Sequence, residues 1–230
     1  MANQYSQVSL SLRAAMLACA LAVGQALAAA PARAATSGTP LDRYLGGLSS
    51  LRTSFSQTVM DAAGAVIETG KGTLLVQRPG KFRWEYTPLG ADAHLLVADG
   101  SNLWFYDHEL QQATVKPAAA ALSATPVVLL SGSAEQVHAA FAIVDVGARE
   151  SLSWVQVTPR SASADFSTAE LAFRGAQLVR LVIHDRLNQT VTLSFTRNAR
   201  NARIADGELQ FTPPAGVDVI GTAQPQSEPP

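Results

Sequence analysis

The sequence predicts a mainly β protein, an antiparallel meander of about 11–12 strands closed or half-closed into a barrel, with helices at only two places. Three observations carry that expectation. Apolar residues recur at every second position through most of the chain, the spacing of a strand with one face turned inward. Gly, Asn and Asp stand between these runs, where tight reversals need them. Some runs are apolar on both faces, namely Leu103-Trp104-Phe105-Tyr106 and Leu178-Val179 with Leu181-Val182-Ile183, so the sheet must be covered on both sides.

Thr39-Pro40 ahead of Leu41, Tyr44, Leu45, Leu48 and Leu51 reads as an amphipathic helix over 41–52. Thr accepts from a free N–H at a helix start, and Pro lacks an N–H that would be orphaned there. From Ser54 the spacing drops to two, with Phe55, Gln57 and Val59 facing one way and Ser56 and Thr58 the other. Ala63-Gly64 turns the chain into Val66 to Gln77, a long strand that Gly70 or Gly72 can bend. Arg78 to Asp107 then folds three short strands together. Lys81 to Thr87 places Phe82, Trp84 and Tyr86 on one face, and Asp99-Gly100 is a hairpin signal between Ala93–Ala98 and Asn102–Asp107.

Gln112 to Lys116 is a further strand. Pro117 to Leu122 is Ala-rich and compatible with a helix, and Thr125-Pro126 opens the apolar run Val127-Val128-Leu129-Leu130, closed by Ser131-Gly132. Ser133 to Ala140 extends the helical region. Strands follow at Phe141–Val146, Ser153–Pro159, Ala169–Arg174, Gln177–Asp185, Thr190–Thr196, Glu208–Phe211 and Val217–Ile220. Residues 222–230 are Pro-rich and polar, and are expected to be disordered. The helices at 41–52 and 117–131 are the natural cover for the concave side of the sheet.

The N-terminus stands apart from this fold. Arg13, the small-apolar run Ala14 to Ala30 and the exit Ala32-Arg33-Ala34 read as a signal peptide over 1–34. The run is shorter than the ~20 apolar residues of a spanning helix. A single domain over 35–221 is the expectation for the remainder. Losing Arg13 and Arg33 takes the formal charge from −1 to −3, with no basic patch that would suit nucleic acid. Cys19 is the only cysteine and lies inside the leader, so the exported chain would hold no disulfide. Lipidation at Cys19 would instead anchor the protein to a membrane, but only five residues separate it from Arg13.

Catalytic patterns are missing. Ser131-Gly132-Ser133 follows an apolar helix and is no nucleophile elbow. His94, His108, His138 and His184 are scattered without metal-ligand spacing. Neither Asp107-His108 nor His184-Asp185 makes a dyad, because neighbours on a strand face opposite ways. The sequence thus points to a binding or carrier protein and not to an enzyme.

Several motifs in order resemble the outer-membrane lipoprotein carrier family, LolA. They are Phe55-x-Gln57, Gly72-x-Leu74, Arg78-Pro79-Gly80-x-Phe82-x-Trp84, Val97-x-Asp99-Gly100-x-x-Leu103-Trp104-x-Tyr106-Asp107 with Gln112, Thr125-Pro126-x-x-Leu129-Leu130, and Phe211-Thr212-Pro213-Pro214-x-Gly216-Val217-Asp218-Val219-Ile220. The resemblance implies a soluble periplasmic protein, with an incomplete β-barrel and a lid of short helices over a hydrophobic cavity for acyl chains. It implies acylated lipoproteins as cargo, an inner-membrane ABC transporter complex as donor and an outer-membrane receptor as acceptor. It also implies a carrier without a cofactor of its own, and the chain is expected to act as a monomer. A lipid-anchored receptor of the same fold, or a paralogous carrier of another lipid, are the alternatives. Each buried CH₂ is worth roughly 0.8 kcal/mol, so three chains of about fifteen CH₂ cost on the order of 35 kcal/mol to bring into water. Cargo of this kind cannot cross an aqueous compartment unaided.

By the same resemblance Arg78 is the lid latch, a guanidinium able to serve several carbonyls. Phe82 belongs to the concave surface near the mouth. Leu41, Leu45, Leu48, Val127, Val128, Leu129 and Leu130 are assigned to the lid. Trp84, Phe55, Leu74, Val76, Leu95, Val97 and Tyr106 are assigned to cavity or core, as are Val155 and Phe195, without a basis for sorting them.

Overall fold

A computed structural model describes residues 38–119 and 126–225. The expected signal segment 1–34 with Cys19, the helix-compatible stretch near Leu122, Thr125 and residues 226–230 lie outside the described residues.

Helix α1 spans Pro40–Leu45. Thr39 caps it reciprocally: its Oγ1 accepts the Asp42 N–H at 3.2 Å, and the Asp42 carboxylate accepts the Thr39 N–H at 2.7 Å. The helix is shorter than the expected 41–52. Gly46 and Gly47, the latter at φ +67°, carry the chain out of it, and Leu51 already belongs to the first strand. Leu48 and Leu51 are buried all the same, because the strand enters the core directly beneath the helix.

The strands are β1 (Ser50–Met60), β2 (Val66–Gln77), β3 (Lys81–Pro88), β4 (His94–Ala98), β5 (Asn102–Asp107) and β6 (Gln112–Pro117), then β7 (Phe141–Arg149), β8 (Leu152–Pro159), β9 (Phe166–Arg174), β10 (Gln177–Asp185), β11 (Thr190–Arg200) and β12 (Asp218–Ile220). They form one 12-stranded sheet in the order β12-β6-β5-β4-β3-β2-β1-β11-β10-β9-β8-β7. Two meanders meet at its centre, where β1 pairs with β11, Leu51 opposite Arg200 and Met60 opposite Thr190. The edge strands β7 and β12 do not pair with each other, so the barrel is incomplete. All pairs are antiparallel except β12, which runs parallel to β6.

This topology makes a lid. Strands β6 and β7 lie toward opposite edges, so the chain between them must cross the sheet. The crossing carries α2 (Val128–Ser131) and α3 (Ala134–Ala140). Helix α2 packs against β2, α3 against β7, and α1 against β8 and β9. Helix α3 begins at Ser133, whose Oγ accepts the Gln136 N–H at 3.1 Å.

The expected strand Glu208–Phe211 is instead a 3₁₀ turn, Asp206–Leu209. The Glu208 carboxylate accepts the Ala205 N–H at 2.9 Å, which favours a capped turn over extended chain. Leu209 and Ile204 sit on Leu75 of the outer face. The tail is also ordered further than expected. Gln224 donates its N–H to Asn102 Oδ1 at 2.7 Å and accepts from Asn102 Nδ2 at 3.0 Å. A buried asparagine on β5 requires such partners, and the tail supplies them.

Gly70 and Gly72 are not merely bend points. A Cβ on Gly72 would lie 2.4 Å from Phe55 and 2.1 Å from the Glu85 carbonyl, and one on Gly70 would lie 2.5 Å from Tyr86. The missing side chains let two aromatic rings lie against the bare strand. Phe55, directly opposite Gly72, then meets Trp84 at 4.3 Å between ring centroids and Tyr86 at 6.2 Å.

Candidate functional site

The inner face of the sheet and the helices above it share one apolar cluster. Phe55, Leu74, Val76 and Phe82 are buried in it, as are Val155, Phe195 and Tyr86, with Trp84 packed against them. From above come Leu41, Leu45, Leu48, Val128, Leu129 and Leu130, with Val127 partly buried beside them. The helices therefore fill the groove with their own side chains, which keeps its apolar wall out of water when nothing else occupies it.

Leu95, Val97 and Tyr106 are not part of this groove. Phe82 pairs with Ala98 and Trp84 with Leu96, so residues 95 and 97 point to the opposite face, and Tyr106 pairs with Leu95. These three form an outer cluster with Trp104, Ala113 and Val115, covered by Phe211 and Val217. Trp104 Nε1 donates to Asp99 Oδ2 at 3.3 Å, and its ring lies 5.6 Å from that of Phe211. The two tryptophans of the aromatic hairpins thus divide: Trp84 faces the groove and Trp104 the outer cover.

Arg78 sits in the turn between β2 and β3. Its Nη2 and Nε both donate to the Leu130 carbonyl of α2, at 3.0 and 3.3 Å. In the same turn the Gly80 N–H donates to the Ser131 carbonyl at 3.0 Å, and Gly80 has φ +75°. The turn thus holds two of the carbonyls that end α2, groups with no partner inside the helix.

A second guanidinium was not singled out by the sequence. Arg200, at the end of β11, donates through Nη2 to the Tyr44 carbonyl of α1 at 3.1 Å and through Nη1 to the Ala176 carbonyl at 3.2 Å. It stands among Arg197 and Arg203, and nothing local distinguishes it. Only the long-range pairing of β1 with β11 brings it to α1.

Tyr44 lies close to both arginines. The Arg78 guanidinium carbon is 5.9 Å from its ring centroid and that of Arg200 is 5.1 Å away, while Phe173 packs against the ring at 5.6 Å. Burial pushes the Tyr44 hydroxyl up to about 12, against the pull of the two arginines. Burial also lowers the Arg78 pKa; Tyr44 offsets this in part, and nearby Arg200 adds to the lowering. The helices are tied to each other as well: His138 of α3 meets Asp42 of α1 at 2.6 Å.

The inner face turns polar away from Arg78 and Arg200. Tyr86 donates its hydroxyl to Glu68 at 2.6 Å, and Gln57 Nε2 donates to the same oxygen at 3.2 Å. Burial first, then Glu68, raises the Tyr86 pKa. Among the described residues, no three His, Cys, Asp or Glu side chains come together as a metal site, and no helix is long and apolar enough to cross a membrane.

Residues 46–212 match the family described as outer membrane lipoprotein carrier protein LolA. An outer-membrane lipoprotein carrier protein from Dechloromonas aromatica is 35% identical over 181 residues, covering 79% of this chain and 86% of that one. One from Bordetella pertussis is 37% identical over 195 residues, covering 85% and 91%. A LolA superfamily protein from Nitrosomonas europaea superposes with a TM-score of 0.45 at 9% identity, over 75% of this chain and 96% of that one.

Proposed function

The chain belongs to the outer-membrane lipoprotein carrier family, LolA, and from that premise we propose that it is a soluble periplasmic carrier for the acyl chains of lipoproteins. It takes cargo released from the inner membrane by an ABC transporter complex and delivers it to an outer-membrane receptor. The observation that carries this reading is the latched lid. Helices α1 and α2 fill the apolar inner face, and each is held at its C-terminal end by one guanidinium, Arg200 and Arg78. Acyl chains replace lid side chains in kind, apolar surface for apolar surface, so loading costs mainly the latch bonds. A lid held by a few hydrogen bonds is strong enough to stay shut when empty and weak enough to yield to a lipid. No chemical step is required, and no cofactor enters.

The test mixes the leaderless protein with inner-membrane vesicles holding a nascent lipoprotein and an active transporter. A soluble complex of this protein with the lipoprotein is expected. Lipoprotein that stays wholly in the vesicles refutes the reading.

A further inference from the structure

The Tyr44 hydroxyl is buried within the lid–sheet core, and among the described residues it has no hydrogen-bond partner. Buried hydroxyls are nearly always paired, so an orphan in the core of a binding protein calls for an acceptor. The charged groups beside it, Arg78 and Arg200, are donors. The two guanidiniums lie close to the ring, and in the closed state their N–H groups are directed to the Leu130, Tyr44 and Ala176 carbonyls. Leu130 belongs to α2 and Tyr44 to α1. When α2 lifts while Arg200 keeps α1 in place, the Leu130 acceptor leaves and Arg78 is freed beside Tyr44. The groove then holds one released cation, Arg78, and the neutral phenol of Tyr44, both in need of an acceptor, within an apolar cluster that offers none.

We propose that the Tyr44 hydroxyl and the neighbouring Arg78 guanidinium form a carbonyl-binding site, which takes the ester carbonyl oxygens at the head of the cargo's acyl chains, while Arg200 holds α1 and thus Tyr44 in position. An acyl ester brings an acceptor and no donor, which complements a site built from donors alone. A hydrocarbon chain brings neither. The site thereby registers the depth of the lipid: chains lie along the apolar face, and their carbonyls stop at Arg78. Because Tyr44 stays protonated well above neutral pH, it acts as a donor throughout. This inference rests on the carrier reading and adds to it the chemical group that is recognised.

The test uses two synthetic cysteinyl lipopeptides of equal chain length, one S-diacylglyceryl with ester links and one S-dialkylglyceryl with ether links. Affinities are read by displacement of a fluorescent apolar dye from the leaderless protein. Wild type is expected to bind the ester about tenfold more tightly than the ether, the worth of a hydrogen bond from an otherwise unpaired buried group. Tyr44→Phe is expected to bring that ratio close to one, with no loss of melting temperature, since an orphan hydroxyl is removed. Equal binding of ester and ether by wild type overturns the inference and leaves the carrier reading standing. A tenfold ratio retained in Tyr44→Phe overturns it too. Binding of neither lipopeptide by wild type overturns the carrier reading itself, and this inference with it. If Tyr44→Phe does not fold, the wild-type ratio alone decides.

Discussion

Arg78→Leu removes the guanidinium that reaches α2 and keeps the aliphatic stem. The bonds lost are those from Nη2 and Nε to the Leu130 carbonyl, at 3.0 and 3.3 Å. A hydrogen bond to a charged group contributes roughly 1.5–3 kcal/mol. Both N–H groups share one oxygen, and Arg78 is only half-buried, so the lower end applies. Releasing a half-buried charge returns part of that. The Gly80 N–H still holds the Ser131 carbonyl at 3.0 Å. The closed lid therefore loses about 1.4 kcal/mol, a tenfold rise in its opening equilibrium. Hydrogen exchange reads this directly. The Ser131 and Gly132 amides donate to Val127 and Val128 within α2 at 2.9 Å and should exchange about tenfold faster. Amides in the β1–β2 ladder should keep their rates. In the carrier assay the variant folds and loads cargo, yet delivers it poorly, since a lid that closes weakly drives lipid out weakly. Unchanged exchange in α2, in a folded Arg78→Leu protein, would refute the latch.

Arg200→Leu should act on the other helix, speeding exchange of the Arg43 and Gly46 amides of α1 more than those of α2; equal effects on both would mean one rigid lid. Gly72→Ala drives a methyl toward the Glu85 carbonyl and Phe55, and should destabilise by about 1–3 kcal/mol in urea. Gly207→Ala meets open space and should stay within about 0.5 kcal/mol. Burial alone would raise the Asp42 pKa, but the Thr39 N–H and hydroxyl and His138 outweigh it and the net shift is downward. A depressed folded pKa contributes stability above the unfolded value, near 3.8, which is lost as pH falls through the lower folded value. Asp42→Asn should accordingly flatten the acid limb of a urea-stability profile; a limb as steep as wild type would show that Asp42 takes no part. Asn102→Ala should free the Gln224 backbone, detected as proteolytic loss of the tail with the sheet intact.

The strands were legible because alternation survives wherever one face is polar, as in Phe55-Ser56-Gln57. Where both faces are apolar, alternation carries no parity, and Leu95, Val97 and Tyr106 could not be told from groove residues. What separates them is the cover on the outer face, supplied by Phe211 and Val217 from a distant stretch. Helix α1 was overextended because Leu48 and Leu51 continue its spacing, although Gly46-Gly47 had already ended it. The position of Arg78 stands out through its place in a motif, and its bond to Leu130 is the contact observed there. Arg200 and Tyr44 do not stand out in this way, since their roles depend on pairing across the whole chain. Gly72 carried a signal that could have been read further: a glycine opposite an aromatic in adjacent strands marks a ring lying on the sheet.

The central pairing of β1 with β11 also has a consequence in time. Strand β1 is the first strand of the chain, and its partner is the second to last. Contacts of such sequence separation form slowly, because a long loop must close before any of them contributes. Until then one edge of β1 stands open beside an apolar surface, the geometry that invites sheet-to-sheet aggregation. A member of a carrier family thus passes through an interval in which it needs shelter itself. The length of that interval is set by the arrival of residues 190–200.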